Sequence, residues 1–370
     1  MSSAEKVVAD LLAKADVRIN GGRKGDIVVH DPRFYSRVLS SVSMGLGESY
    51  VEGWWDCNSV DTLFYKILFA ELDRETLDFR TKLEALKSKI FNLQSKSRAF
   101  EVGEKHYDLG NDLYHLMLDK RMIYSCGYWK NVKTLDAAQE AKLDLICKKI
   151  GLKPGMKVLD IGCGWGGFAK FAAEKYKVKV VGITISKEQV NLAREVCKGL
   201  DVEIRLQDYR DLNEKFDRII SIGMFEHVGP KNHREYMKIV SRCLRDDGLF
   251  LLHTIGSNRS LTSVLPWIVK YIFPNATIPS IRQIASASEE LFVMEDWHNF
   301  GAYYEPTLLS WHKNFVSGWP KLKDKYNNRF YRMWTYYLLS CAGAFRARYG
   351  HLWQIVFSKK GVSGGYNSLR

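Results

Sequence analysis

The chain has 370 residues, 46% of them hydrophobic and 26% charged. That balance excludes a disordered or collagen-like chain and suits one large domain or two. Lys+Arg 55 against Asp+Glu 42 leaves a formal charge of +13, so the surface attracts phosphates, nucleic acid or an anionic membrane face. The 7 cysteines are scattered without a CxxC pair, which argues against a disulfide framework or a zinc site and for reduced thiols in a cytosolic compartment. Met1–Val8 lacks an apolar signal core. Apolar stretches such as Tyr336–Phe345 are far too short to span a bilayer, so any membrane role is a surface one.

In chain order, the part up to about Phe100 reads mostly helical. Val7, Leu11 and Leu12 have helical spacing. Met44–Glu48 reads as a glycine loop, and Ser49–Trp55, with Gly53 and paired tryptophans, as a packed corner. Phe79, Leu83, Leu86, Ile90 and Leu93 mark an amphipathic helix with a basic face. That face is either the solvated side of a bundle helix or a surface for acidic lipid head groups. The polar run Lys96–Glu104 breaks the pattern. The boundary lies there, giving a helical domain over residues 1–100 and a second domain over 101–370.

After Pro154 the pattern becomes α/β. Strands are predicted over Val158–Ile161, Val178–Ile183, Val202–Leu206, Phe216–Ile222 and Leu249–Thr254. Helices are predicted over Phe168–Tyr176 and from a capping box at Ser186–Gln189 towards Gly199. Alternation of this kind implies a Rossmann-like parallel sheet with ligands at the carboxyl ends of its strands. Phe292–Met294 and Leu352–Phe357 are expected to add an edge hairpin.

Asp160–Gly167 (DIGCGWGG) joins a strand to a helix. Gly162, Gly164 and Gly167 fit the dinucleotide GxGxxG spacing. Asp160, two residues before the first glycine, instead gives the D-x-G-x-G pattern of class I methyltransferases. No carboxylate ends the second strand, where an NAD ribose requires one. Gly182-Ile-Thr184 stands there, which departs from the typical methyltransferase as well; on the D-x-G-x-G pattern S-adenosylmethionine is the better fit, its ribose held by Gln189 or backbone near Thr184. Gly162, Gly164 and Gly166 allow close approach of the backbone to the cofactor. Asp208 is either the adenine partner or a turn carboxylate, and Gln189 either a ribose ligand or the capping residue.

Seven stretches carry a family resemblance: Gly45–Cys57, His106–Asp112, Tyr124–Trp129, Val158–Gly167, Met224–Gly229, Leu251–Ser257 and Asp296–Gly301. The chain resembles the bacterial cyclopropane-fatty-acyl-phospholipid synthases over nearly its full length, with YSCGYW and FEHVG shared by the mycolic-acid enzymes. The resemblance implies a class I methyltransferase fold behind a smaller helical domain. It implies methylene transfer from S-adenosylmethionine to a cis double bond of a phospholipid acyl chain, with bound bicarbonate as base. The bicarbonate cage would be Cys126, Glu226, His253, the backbone of Ile255, and Tyr304. Tyr124 and Ser125 would meet the cofactor carboxylate, and Cys341 would line the pocket. Spacing alone leaves Glu226 a helix cap, His253 a core histidine and Tyr304 a packed ring. The family is cytosolic, works at the inner membrane face and commonly forms homodimers through its amino-terminal helices.

The reaction makes a carbocation that must be kept from water beside aromatic faces. Trp267, Tyr271, Phe273, Tyr303 and Tyr304 are candidates. Leu261–Pro279 is either an acyl channel or lid, or a buried loop. A fatty-acyl methyltransferase leaving a methyl branch would share the cofactor fold. An RNA-binding role would suit the charge, but the basic residues are dispersed and RNP-type motifs are missing, so nucleic acid is not expected as a partner. An inactive lipid-binding scaffold would not need the glycine loop, Glu226 and His253.

Overall fold

The structure is a computed structural model that describes residues 2–72, 110–260 and 266–370. In chain order its elements begin with α1 (Ser3–Ala13), β1 (Ile27–Val29), α2 (Arg33–Val51), β2 (Trp55–Cys57) and α3 (Val60–Phe69). There follow α4 (Asn111–Met117), α5 (Leu135–Lys149), β3 (Lys157–Ile161), α6 (Gly167–Tyr176), β4 (Lys179–Thr184), α7 (Lys187–Val196), β5 (Val202–Leu206) and β6 (Phe216–Ile222). The rest are α8 (His233–Cys243), β7 (Leu244–Gly256), α9 (Pro266–Tyr271), α10 (Ile281–Ser288), β8 (Val293–Asn299), α11 (Tyr304–Gly318), α12 (Asn328–Arg346) and β9 (His351–Ser358).

These elements form two compact units. The helical unit takes Met1–Phe91, Ser263–Pro274 and Tyr304–His351; the sheet unit takes Asn92–Thr262, Asn275–Tyr303 and Leu352–Arg370. The break expected at Lys96–Glu104, and the amphipathic helix expected over Phe79–Leu93, lie outside the described residues. Two segments from beyond residue 100 thus cluster with the amino-terminal helices.

In the helical unit, Ser2 and Glu5 close a capping box that starts α1. Its buried residues are Val8 and Leu12, whereas Val7 is 50% exposed, so the inward stripe runs one residue later than the sequence reading. The expected glycine loop at Met44–Glu48 is instead part of α2, which kinks at Ser41. The glycines serve close packing there. A Cβ at Gly45 would lie 2.3 Å from the Arg37 carbonyl oxygen, and one at Gly47 would lie 2.4 Å from Trp267 Cδ1. Gly53, at φ +79°, turns the chain out of α2, and buried Trp55 donates its Nε1–H to the Leu46 carbonyl at 3.1 Å. The packed corner expected over Ser49–Trp55 is present. α12 packs on α2, α3 and α11, with Tyr336 lying against Tyr50, Phe64 and Trp267. Glu48 accepts hydrogen bonds from Lys270 Nζ (2.7 Å) and the Tyr271 hydroxyl (2.8 Å) and pairs with Arg37. Despite partial burial, these donors hold its carboxyl down at about 2.

In the sheet unit the strand order is β5-β4-β3-β6-β7-β9-β8. The predicted strands are present, and β3, β4, β5, β6 and β7 pair in parallel. The α/β expectation holds. β8 and β9 pair antiparallel at the edge of the sheet, β8 outermost and β9 between β7 and β8, so the expected edge pair is present, joined through α11 and α12 rather than by a tight turn. Every β9 residue is buried, as an inner strand requires. Alternate strand residues feed two cores. Val158, Val180, Ile204 and Ile220 pack with Phe168, Phe171 and Ile146 on one face. Leu159, Val181, Ile183 and Ile219 pack with Phe225, Met237 and Ile284 on the other. Each such large side chain contributes about 1.5–3 kcal/mol on burial. The order reverses at β3, whose neighbours are β4 and β6, so a ligand crevice opens at the carboxyl ends of these strands.

The Gly47 contact has a measurable consequence. On an exposed helix, Gly→Ala gains about 1 kcal/mol. Gly47→Ala should instead lose about 1–3 kcal/mol, because the new methyl overlaps the Trp267 ring. Denaturant unfolding followed by tryptophan fluorescence should show a lower midpoint; a higher one would return these glycines to a loop role.

Candidate active site

β3 ends at Ile161, and the glycine turn that follows is shaped by positive φ at Gly162 (+83°), Gly164 (+54°) and Gly166 (+83°). The N–H groups of Gly162 and Cys163 donate to the Ile183 carbonyl at 2.9 and 3.0 Å, anchoring the turn to β4. A Cβ on Gly164 would meet no atom within 4 Å, so this turn faces open space. Gly167 is different: a Cβ there would lie 2.4 Å from Ile123 Cδ1, so it lets α6 pass the Ile123 segment. Gly182 likewise serves packing, with Ile204 Cδ1 and Cys163 Cβ at 2.9 and 3.0 Å from its added Cβ.

At the end of β4 the Thr184 hydroxyl donates to Gln189 Oε1 at 2.8 Å. Ser186 Oγ accepts from the Gln189 N–H at 3.3 Å, but the Ser186 N–H donates to Thr184 Oγ1. The predicted capping box is therefore only half formed, because Thr184 takes the Gln189 side chain. Asp208 follows β5, caps a short turn and pairs with Arg210 through Oδ2 at 2.9 Å.

Asp160 is 2% exposed, and its Oδ2 has no hydrogen-bond partner among the described residues. Burial lifts its carboxyl to about 7 against the pull of Lys142. Lys142, wholly buried on α5, is pulled down to about 8 by the same loss of water. Lys142 Nζ donates to Ser125 Oγ at 2.9 Å, and Gln139 Nε2 donates to the Ser125 carbonyl at 2.8 Å. The adjoining Tyr124 ring lies 5.3 Å from Tyr114, which lies 4.8 Å from Trp165 of the glycine turn. Cys126 is fully buried, its thiol 3.3 Å from the Gly127 carbonyl. A Cβ on Gly223 would stand 3.9 Å from Ser125 Cβ, which brings this segment to the end of β6.

Glu226 sits in a single 3-10 turn just past β6. Its Oε1 accepts the Ile255 N–H at 2.7 Å, so the Ile255 backbone fixes the carboxyl. Oε2 is buried without a hydrogen-bond partner among the described residues. Burial raises this carboxyl to about 7. The Thr254 hydroxyl pulls the other way but donates to the Ile255 carbonyl (3.1 Å). His253 of β7 is wholly buried; its Nδ1 lies 3.3 Å from Gln354 Nε2, and its Nε2 has no partner among the described residues. Burial and the charges of Lys142 and Lys149 hold the ring neutral. The His253 carbonyl accepts the Gly223 N–H at 2.9 Å. The Phe300 ring stands 5.9 Å from His253, and Tyr128 packs edge-on to both Phe300 and Tyr303, which are tilted to each other.

The sheet unit thus gathers Tyr124, Ser125, Cys126, Asp160, the glycine turn, Glu226, His253 and Ile255 along the ends of β3, β6 and β7. Tyr304 and Cys341 belong to the helical unit. Tyr304 opens α11, 4.4 Å from the Phe345 ring. Cys341 lies on α12, where its surroundings push the thiol up to about 12, away from thiolate chemistry. Trp267, Tyr271 and Phe273 also lie in that unit, Trp267 packed on Tyr271 and Tyr336, and Phe273 on Tyr337. Of the expected lid segment, residues 261–265 lie outside the described residues, and Pro266–Tyr271 is helical.

Lys142, Gln139 and Gln354 were not among the sequence candidates. A signal existed: Leu135, Ala138, Lys142 and Leu145 share one helical face, so Lys142 interrupts an apolar stripe. The residues also fit the donor molecule: an open glycine cradle, an orphaned Asp160 oxygen, and a Ser125 hydroxyl with a buried cation behind it.

Comparison with known proteins agrees. The family model for mycolic acid cyclopropane synthetase matches residues 94–355. The cyclopropane-fatty-acyl-phospholipid synthase of Escherichia coli strain K12 is 56% identical over 366 residues, covering 99% of this chain and 96% of that protein. The cyclopropane synthase MmaA2 of Mycobacterium tuberculosis superposes with a TM-score of 0.66 at 33% identity, over 70% of this chain and 98% of that one. The mycolic acid cyclopropane synthase CmaA1, crystallised with SAH and CTAB, gives the same values. The chain therefore belongs to the cyclopropane synthetase family and is an S-adenosylmethionine-dependent methyltransferase built on the class I fold.

Proposed function

We propose that this enzyme transfers a methylene group from S-adenosylmethionine to the cis double bond of an unsaturated phospholipid acyl chain, forming a cyclopropane ring, with bicarbonate bound as the base. The observation that carries the reading is the pair of orphaned buried atoms, Glu226 Oε2 and His253 Nε2. Their residues are tied to one another through Ile255 and β7. Buried polar atoms without partners are costly, and a small polar ligand removes the cost.

The residues suit bicarbonate in particular. With the Gln354 amide donating to Nδ1, neutral His253 carries its proton on Nε2 and can donate to an anion. Glu226 Oε2 is left to accept from the anion's own hydroxyl. A carboxyl raised to about 7 sits beside an anion with less repulsion than an ordinary one. Cys126 joins the proposed cage from the same sheet unit, while the Ile255 N–H acts one step back by holding Glu226. When bound, S-adenosylmethionine supplies the one-carbon unit and bicarbonate supplies the base.

An alkene is a weak nucleophile, so positioning carries much of the burden and can supply roughly 7–11 kcal/mol in favourable cases. The glycine turn and Ser125 segment would orient the donor. Phe300, Tyr128 and Tyr303 present ring faces and edges near His253, suited to shielding a developing cation from water. The +13 charge supports attraction to an anionic bilayer, and among the described residues no helix is long and apolar enough to cross a membrane. We place the enzyme peripherally at the inner face of the bacterial membrane, as a homodimer formed through its amino-terminal helices.

Vesicles of unsaturated phospholipid with S-adenosylmethionine should yield cyclopropane protons by NMR, and a methyl-branched product instead would redirect the assignment. Removal of bicarbonate should slow turnover reversibly; an unchanged rate would remove the anion from the mechanism. Glu226→Gln keeps the Ile255 contact but replaces the accepting Oε2 by a donor. Turnover should fall by about 10²–10⁴-fold with S-adenosylhomocysteine affinity preserved. Unchanged turnover would leave Glu226 a structural cap.

A further inference from the structure

Gln139 and Lys142 stand three residues apart on α5, hence on one face. Both side chains are wholly buried, and both reach the same residue. Gln139 holds the Ser125 carbonyl at 2.8 Å, and Lys142 holds the Ser125 hydroxyl at 2.9 Å. We propose that these two residues form a clamp that makes Ser125 a hydrogen-bond donor towards the carboxylate of the methyl donor, Lys142 being a positioning residue that acts through Ser125. This rests on the reading that the Tyr124–Ser125 segment meets that carboxylate.

The chemistry follows from what each group can do. An ammonium only donates, so Ser125 Oγ must accept from Lys142. Its own hydroxyl proton is thereby turned to another acceptor. The charge behind the hydroxyl strengthens that outward bond. Fixing the carbonyl with Gln139 removes the segment's freedom to turn away. A role in packing alone would be met at lower cost by an apolar residue, because a buried cation must be desolvated. The groups that face Lys142 electrostatically are Asp119, Cys126 and Asp160, and Lys142 in turn helps to keep His253 neutral. The clamp helix thus touches both halves of the site electrostatically, the donor loop and the Glu226–His253 pair.

The test uses two probes on the full chain, by isothermal titration. S-adenosylhomocysteine carries the carboxylate, and 5′-methylthioadenosine lacks the amino-acid end. Lys142→Met should weaken S-adenosylhomocysteine at least tenfold and leave 5′-methylthioadenosine within twofold. Gln139→Leu should weaken the first probe several-fold with the same selectivity. Equal losses for both probes would reduce the clamp to a packing role and overturn the proposal, as would unchanged affinity for both. Ser125→Ala carries the same comparison and the same outcomes if Lys142→Met does not fold. A Ser125→Ala variant that keeps the wild-type preference for S-adenosylhomocysteine over 5′-methylthioadenosine would move the carboxylate contact away from Ser125. That result is distinguishable from failure of the lipid reaction, which neither probe reports.

Discussion

The carboxyl ends of β3, β6 and β7 bury more polar groups than the surrounding protein satisfies. Asp160 Oδ2, Ser221 Oγ, Glu226 Oε2 and His253 Nε2 are all enclosed without hydrogen-bond partners among the described residues. An interior of this kind is unstable as a packing solution alone. It becomes reasonable when ligands are part of the structure's design. The same loss of water sets the ionic states: Asp160 and Glu226 are lifted to about 7, Lys142 falls to about 8, and His253 stays neutral. One cause, burial, therefore sets the state of both the Asp160–Lys142 region and the Glu226–His253 pair.

Neutral His253 bears on a difficulty that the proposed bicarbonate would meet. A carboxylate beside that anion would require either a protonated partner or a cationic histidine nearby. The histidine is the less favourable choice, because Lys142 and Lys149 already oppose its charge. The carboxyl with the raised pKa absorbs the repulsion instead. Perturbed carboxyls clustered at a strand-end crevice are a mark of chemistry rather than of fold stability.

The helical unit follows different rules. Its interior is aromatic, and several of its glycines, Gly45, Gly47 and Gly343 among them, are contacts. Gly343 on α12 would place a Cβ 2.3 Å from the Asp61 carbonyl oxygen, so α12 and α3 approach with nothing between them. Arg346 ties α12 to Asp61 and Glu305, and Arg332 reaches the carbonyls of Tyr50 and Trp55 at 2.6 and 2.9 Å. These residues explain why two segments late in the chain join the amino-terminal helices.

The sequence by itself determined the α/β pattern, the glycine turn after β3 and the family, because strand runs and turn glycines are local signals. It read Met44–Glu48 as a loop, since a glycine needed for a positive φ and one needed for close packing look alike until the neighbour is known. Tertiary structure alone decided which polar residues are stripped of water and what they face. Lys142 interrupts an apolar stripe in the sequence, but only the fold shows that α5 turns it onto Ser125. Glu226 and His253 are 27 positions apart and become one site only through the Ile255 N–H. Ionic state depends on neighbours brought together from distant parts of the chain, and no local pattern encodes it.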